Sequence, residues 1–374
     1  MRIGIVCYPT FGGSGVLATE LGKALADKGH EVHFITYRQP VRLSLFNANI
    51  FYHEVPVPDY PLFEYPPYEL ALASTMVDVI NNYHLDLMHV HYAIPHASAA
   101  YMARQIVKKS TNRSVPFITT LHGTDITLVG KDKTYEPVVT FSINESDGIT
   151  AVSNNLREET YKYFPIEKDI KVIYNFVDVK RFNKKPVDAF KKVLAPNGEK
   201  ILIHASNFRE VKRVTDVIKI FEKIHPAVPS KLLMVGDGPE RPCCEELARK
   251  FGLQDQIRFL GKQEQMEEIY AVSDLFVLPS SYESFGLAAL EAMAASVPVL
   301  STNAGGLPEV NIPGRTGELF NVGDVEDAAK KGIAILSDEE KLKKYKQNAF
   351  KHAQDFDVHN IIPIYEDLYQ SFLK

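Results

Sequence analysis

Cysteine is scarce: the chain has three, Cys7, Cys243 and Cys244, an odd count with two of them adjacent. Neither a disulfide framework nor a C-x-x-C metal clamp can be assembled from them, so reduced thiols are expected, with Cys7 buried in a strand. Long apolar runs are also missing. None approaches the roughly 20 residues that a membrane-spanning helix needs, and the chain opens on a strand-like segment with no cleavable leader ahead of it. A soluble, cytoplasmic protein is the expectation. A basic excess is absent too, because 42 Lys and Arg stand against 47 Asp and Glu, a net charge of -5. General nucleic-acid binding, which leaves a basic footprint, is therefore disfavoured. Neither an internal repeat nor a low-complexity tract is visible.

What is present is an ordinary globular composition, 45% hydrophobic and 24% charged over 374 residues, enough for two domains with their own cores. The segments RIGIVC, EVHFIT, LDLMHVHY, PFITTLHG and GITAVS read as short strands separated by helical patterns, the first helix running from Ser14 to Lys28. A second series, KILIHAS, KLLMVGDG, IRFLGK, DLFVLPS and VPVLST, begins near Lys200. Strands alternating with helices predict parallel sheets, hence an α/β chain with two Rossmann-like, doubly wound lobes facing across a cleft. The division falls near residue 175, where VIYNFVDVKRFNKKPVD suits an exposed crossing. The proline-rich stretch PVPDYPLFEYPP, Pro56 to Pro67, cannot be regular helix and reads as an irregular loop packed by its aromatic side chains.

Ligands of such sheets bind beyond the carboxyl ends of the strands, which makes the loops there the candidate site. After the first strand, Gly13-Ser14-Gly15 is followed by Ala18, a formal G-x-G-x-x-A. The acidic residue that would hold an NAD ribose is missing after EVHFIT, where Tyr37 and Arg38 stand instead. Small residues at a helix start suit an anion, and a tight turn without a ligand explains them equally. In the second half, Glu283 and Glu291 are separated by seven residues, with Phe285, Gly286 and Leu287 opening the helix that carries Glu291. Amides at that opening suit a diphosphate, and carboxylates suit a vicinal diol. Ser280, Ser281 and Ser284 crowd the same loop, and Gly305-Gly306 follows the next strand. Arg209, Lys212 and Arg213 gather at another helix start, where cations oppose the dipole unless an anion lies between them. His89, His91 and His96 have no accompanying carboxylate and read as structural.

The Glu283, seven residues, Glu291 spacing, the small-residue helix after it and the pair Gly305-Gly306 ahead of Pro308-Glu309 resemble retaining GT-B glycosyltransferases of family four, over almost the whole chain. The resemblance implies an acceptor lobe over 1–175, joined by a C-terminal helix over 357–374, and a nucleotide-sugar donor lobe over 176–356. It implies that Glu283 contacts the donor sugar and Glu291 the ribose, while Ser284 and the backbone of Phe285, Gly286 and Leu287 meet the diphosphate and sugar. The family supplies an arginine and a lysine to the diphosphate. Lys212 matches the lysine, whereas Asn207 occupies the arginine position and leaves Arg209 as the substitute. His122 is placed near the reacting carbon, and Gly13, Ser14 and Gly15 beside the donor.

The segments CYPTFGGSG, FYHEVPV, YPPYELALAS, HVHYAIPHA, TTLHGTDIT and SNFREVKRV are similar to one branch of that family, which serves bacillithiol synthesis. The implied reaction moves N-acetylglucosamine from UDP-N-acetylglucosamine to the hydroxyl of L-malate with retention. The partners would be a UDP-sugar and a small dicarboxylate, with no cofactor and no metal; a homo-oligomer is compatible. Ser14, Thr124, Tyr92, Asn154 and Arg42 are the acceptor candidates. Each has an ordinary alternative: helix caps for Ser14 and Asn154, a turn for Thr124, core packing for Tyr92 and solvation for Arg42. Three other readings stay open: a different acceptor, an NADP oxidoreductase built on Gly13, Gly15 and Arg38, and a non-catalytic sugar-nucleotide binding protein.

Overall fold

A computed structural model describes residues 1–10, 12–57, 67–128, 132–184 and 188–373. Most of the proline-rich stretch, residues 58–66, lies outside the described residues, as do Phe11 of the glycine loop and 185–187 of the crossing segment. The chain forms two units, residues 1–175 with 358–374, and residues 176–357.

The first unit holds a seven-stranded sheet of β1 (Arg2–Val6), β2 (Glu31–Thr36), β3 (Ile50–Glu54), β4 (Leu87–His91), β5 (Phe117–Leu121), β6 (Gly148–Ala151) and β7 (Ile170–Val172), in the order β3-β2-β1-β4-β5-β6-β7. The second holds six strands, β8 (Lys200–Ala205), β9 (Ser230–Val235), β10 (Ile257–Gly261), β11 (Leu275–Leu278), β12 (Val299–Thr302) and β13 (Gly317–Phe320), ordered β10-β9-β8-β11-β12-β13. Every strand pairing is parallel. Central strands such as β4 and β5 are buried along their whole length and so lack the alternation of a half-exposed strand, although β4 buries His89 and His91 and β5 buries Thr119 and Thr120. The sequence reading misses β3, β7 and β13, all edge strands; β3 carries Tyr, His and Glu and is only partly buried.

Helices form where apolar residues recur at helical spacing. Val214, Val217, Ile218, Phe221 and Ile224 place one face of Val214–Ile224 in the core of the second unit, against Leu202, Leu232 and Leu300. Fully burying each such side chain contributes ~1.5–3 kcal/mol. In the first unit, the helices Tyr68–Tyr83 and Ser98–Thr111 share a core with Val90 and Phe117. The C-terminal helix Val358–Ser371 also belongs to this unit, with Tyr365 and Tyr369 fully buried and the Tyr369 hydroxyl 2.7 Å from His89 Nδ1.

The crossing segment departs from the expected exposed linker. Phe176, Val177, Val179 and Phe182 are buried, and the Val177 amide donates to the Phe356 carbonyl at 3.0 Å. Its lysines conceal an apolar series that packs onto the second unit. No helix among the described residues is long and apolar enough to cross a membrane.

In both sheets the order reverses once, between β1 and β4 and between β8 and β11. Such a reversal leaves the loops on either side diverging, which opens a crevice at the carboxyl ends of the strands.

Candidate active site

The candidate residues fall in both units, on and just beyond the loops at the carboxyl ends of each unit's strands. In the second unit the loop after β8 carries Asn207, Arg209 and Lys212, the loop after β11 carries Glu283 to Gly286, and the loop after β12 carries Gly305 and Gly306. The last two are locked together. The Gly306 amide donates to the Glu283 carbonyl at 2.8 Å, and a Cβ on Gly305, whose φ is +60°, would meet that oxygen at 2.1 Å. No other residue fits there. The β8 loop joins them through the Ser281 amide, which donates to the Val211 carbonyl at 2.8 Å.

This packing brings Lys212 and Glu283, 71 residues apart, into an ion pair with Nζ 2.6 Å from Oε1. Ser280 donates to the same oxygen at 2.8 Å. Glu283 Oε2 makes no hydrogen bond among the described residues, which suits it to accept one from a hydroxyl. Arg213 is drawn off by Asp216 at 2.6 Å, whereas exposed Arg209 has no charged partner among the described residues. Asn207 is exposed beside it.

The helix Leu287–Ala294 starts on Gly286, φ +101°, with no side-chain cap and no acidic residue in its first turn. Its first amides therefore carry the positive end of the dipole toward the loop. The Phe285 side chain is core, packed edge-on against Phe356 at 5.9 Å, so only its backbone can serve a ligand. Ser284 is half-buried, and Glu291 is buried one turn into the helix. His204, on β8, was not anticipated. Its Nδ1 donates to the Val277 carbonyl at 2.8 Å, and its Nε2 accepts from Ser206 at 2.7 Å. Burial above all holds it down to about 4, hence neutral. The alternation His204-x-Ser206 at a strand end was the available signal.

In the first unit, Gly12 precedes a helix over Gly13–Asp27 that has no side-chain cap. A Cβ on Gly15 would meet the Tyr8 carbonyl at 2.4 Å, so loop packing accounts for this glycine without a ligand. Ser14 does not cap the helix. Its Oγ accepts from the Tyr92 hydroxyl at 2.5 Å, which leaves the Ser14 proton to be donated elsewhere. Burial pushes the Tyr92 phenol well up, against the opposing hydrogen bonds of the Ser14 and Thr124 hydroxyls. The Tyr92 ring lies 5.2 Å from that of His122, at the end of β5. Ser14, Tyr92, Thr124 and His122 are thus neighbours. Asp125 accepts the Ala93 amide at 2.7 Å, and burial raises its carboxyl to about 6.

Asn154 is not a cap either; Ser153 caps that helix by accepting the Leu156 amide at 3.0 Å, and Asn154 donates to the Tyr174 hydroxyl at 2.7 Å. Half-buried Arg42 lies in the loop after β2. The strand order places that loop beside β1 and Asn154 beyond β5. Among the described residues, no group of three or more His, Cys, Asp or Glu is placed to hold a metal ion.

Motifs of this kind, Glu-x7-Glu in one unit and a glycine-led helix in the other, define a class, and comparison with known proteins settles which. The description "Glycosyltransferase Family 4" matches residues 11–181 and "Glycosyl transferases group 1" matches residues 187–352. The chain belongs to the family-four glycosyltransferases, of GT-B fold. It is 46% identical to the N-acetyl-alpha-D-glucosaminyl L-malate synthase of Bacillus anthracis, across 100% of this chain and 98% of that protein. The sulfoquinovosyl transferase of Arabidopsis thaliana is 26% identical over 84% of this chain and 62% of its own length. Among solved structures, HepE of Anabaena in complex with UDP-glucose superposes with a TM-score of 0.84 at 21% identity, covering 99% of this chain and 100% of that one. A glycosyltransferase from Rickettsia africae gives 0.80 at 23%, covering 100% and 98%. At these identities the two structures show the fold alone. Family membership removes the NADP oxidoreductase reading, and Arg38, exposed after β2, needs no cofactor to explain it.

Proposed function

We propose that the protein transfers N-acetylglucosamine from UDP-N-acetylglucosamine to the hydroxyl of L-malate, with retention at the anomeric carbon. The observation that carries this reading is the 46% identity, end to end, with a protein named for that product. In the reaction the malate hydroxyl oxygen forms a bond to C1 as the bond from C1 to the phosphate oxygen breaks, and UDP departs. The acceptor proton goes to the departing phosphate oxygen on the same face, so no protein general base is required.

The leaving diphosphate gathers negative charge, and groups aimed at that charge lower the barrier most. Lys212, Arg209 and the first amides of the Leu287 helix are assigned to it, with Asn207 and Ser284 alongside. Glu283 is assigned to the sugar hydroxyls through Oε2 and Glu291 to the ribose. In the first unit, Ser14, Thr124 and Tyr92 are assigned to the malate carboxylates together with Arg42 and Asn154, and His122 to the transferred sugar. The Ser14 proton freed by Tyr92 supports this use, since a carboxylate needs donors.

The test is UDP release measured with UDP-N-acetylglucosamine and a panel of L-malate, D-malate, inositol phosphate and oligosaccharides. Release stimulated by L-malate supports the proposal. Stimulation by another acceptor with malate inert would leave a family-four transferase of different specificity.

A further inference from the structure

Four histidines are buried around the carboxyl end of β4: His89, His91, His96 and His122. The parallel register sets His91 opposite Thr120, so His122, two residues further on, falls on the same face of the sheet. There His91 Nδ1 lies 2.8 Å from His122 Nε2, with the rings 26° from parallel. His89 also stacks on His91, with centroids 4.5 Å apart, and is itself held by the Tyr369 hydroxyl at 2.7 Å and by Thr120 at 2.7 Å.

Both members of the His91–His122 pair are neutral. Burial above all takes His91 well below the ordinary imidazole range and His122 down to about 3, and the neighbouring imidazoles add to it. A bond between neutral imidazoles has one donor. If His122 donated from Nε2, His91 Nδ1 would be the acceptor and the His91 proton would sit on Nε2. That atom is fully enclosed and has no partner among the described residues. An enclosed N–H without an acceptor is a rarer and costlier defect than an unused lone pair. The other arrangement, His91 Nδ1–H donating to His122 Nε2, leaves only a lone pair unused. His96 is fixed in the same sense: its Nδ1 donates to the His91 carbonyl, so its Nε2 is the acceptor for the Tyr68 hydroxyl at 3.5 Å.

We propose that His91 is a positioning residue that holds His122 in its Nδ1–H form, so that His122 offers an N–H donor, and not a lone pair, to the molecule bound beside it. His122 Nδ1 makes no hydrogen bond among the described residues, so this proton is spare. The functional half of the proposal rests on the reading of His122 as a contact of the transferred sugar, whose oxygens can accept from an N–H. The tautomer itself does not depend on that reading.

The experiment begins with the ligand-free full chain labelled with ¹⁵N in histidine. Long-range ¹H–¹⁵N correlation should show His122 with its proton on Nδ1; a proton on Nε2 would overturn the proposal without touching the transferase assignment. Two variants follow. Asparagine carries an amide N–H close to where His91 Nδ1 stood, and leucine carries none. His91→Leu should abolish the dominance of the Nδ1–H form and lower kcat/KM for transfer about tenfold, the scale of one neutral hydrogen bond. His91→Asn should restore the tautomer and most of the rate. Should the leucine variant keep both, His91 has no positioning role; should it fail to fold, the wild-type spectrum still decides the tautomer. A wild-type spectrum as expected in a chain that transfers no sugar would overturn the proposed function and leave the tautomer standing.

Discussion

Lys212 and Glu283 should behave as one unit, and a double-mutant cycle of Lys212→Ala and Glu283→Gln reads this directly. At 2.6 Å the two charges attract by about 6 kcal/mol at an effective dielectric near 20, before desolvation and screening offset most of it. Exposed pairs retain ~0.2–1 kcal/mol, while breaking a buried pair costs ~3–5. The side chains here are 20% and 14% exposed, which places the pair between those limits, at about 1–3 kcal/mol. Removing Lys212 also removes a cation assigned to the diphosphate, a loss of ~10²–10³ in kcat/KM. Removing the Glu283 charge should cost ~10–10², because Lys212 then loses the carboxylate that holds it and the sugar hydroxyl meets a neutral amide in place of a charged acceptor. In the double variant the two losses should overlap, leaving a coupling of about 1–3 kcal/mol in the kcat/KM of UDP release. Losses that simply multiply, with coupling under about 0.5 kcal/mol, would refute the idea that the ion pair positions Lys212.

Glu291→Ala should weaken UDP and UDP-sugar together by ~1.5–3 kcal/mol, one charge-assisted hydrogen bond, and calorimetry giving an unchanged UDP affinity would remove Glu291 from the ribose. Acid should destabilise the first unit before the second. Burial lowers His33, His53, His89, His91, His96 and His122 in the first unit, to about 3 or 4 for several, against His204 and His352 in the second. As pH falls from 6.5 towards 4, the unfolded chain binds protons that these folded histidines refuse, so stability is lost in that window. Asp125, raised to about 6, works the other way, gaining as pH falls below 6, but it is one group against six. Hydrogen exchange resolved by unit at pH 7 and 5 checks the order, and equal loss in both units would contradict it. Transfer should survive exhaustive chelation, because cations and helix amides are assigned where metal-dependent enzymes place acidic ligands; activity abolished by chelator and restored by Mg²⁺ or Mn²⁺ would show otherwise.

Local patterns carried much of this molecule. The inner strands of both sheets, the helix over Val214–Ile224 and the Glu283-x7-Glu291 loop are written in contiguous residues whose spacing reflects burial or turn chemistry. Edge strands β3, β7 and β13 were not legible, because an edge needs no continuous apolar run. Nor were pairings set by sheet register. The Lys212–Glu283 ion pair depends on two loops brought together across β8 and β11, and the His91–His122 bond on the pairing of β4 with β5. Ser14 and Asn154 looked like helix caps, yet Gly12 and Ser153 take those positions. One or two residues of offset at a helix start decide whether a hydroxyl or amide serves its own backbone or is free to face another group.

The most direct test of the proposed reaction is NMR of the product formed from UDP-N-acetylglucosamine and L-malate by the purified full chain. A glycoside of N-acetylglucosamine on the malate hydroxyl, formed with the α configuration and one UDP per sugar transferred, is the expected result. A β-linked product would contradict retention, and free N-acetylglucosamine without a malate adduct would contradict the acceptor.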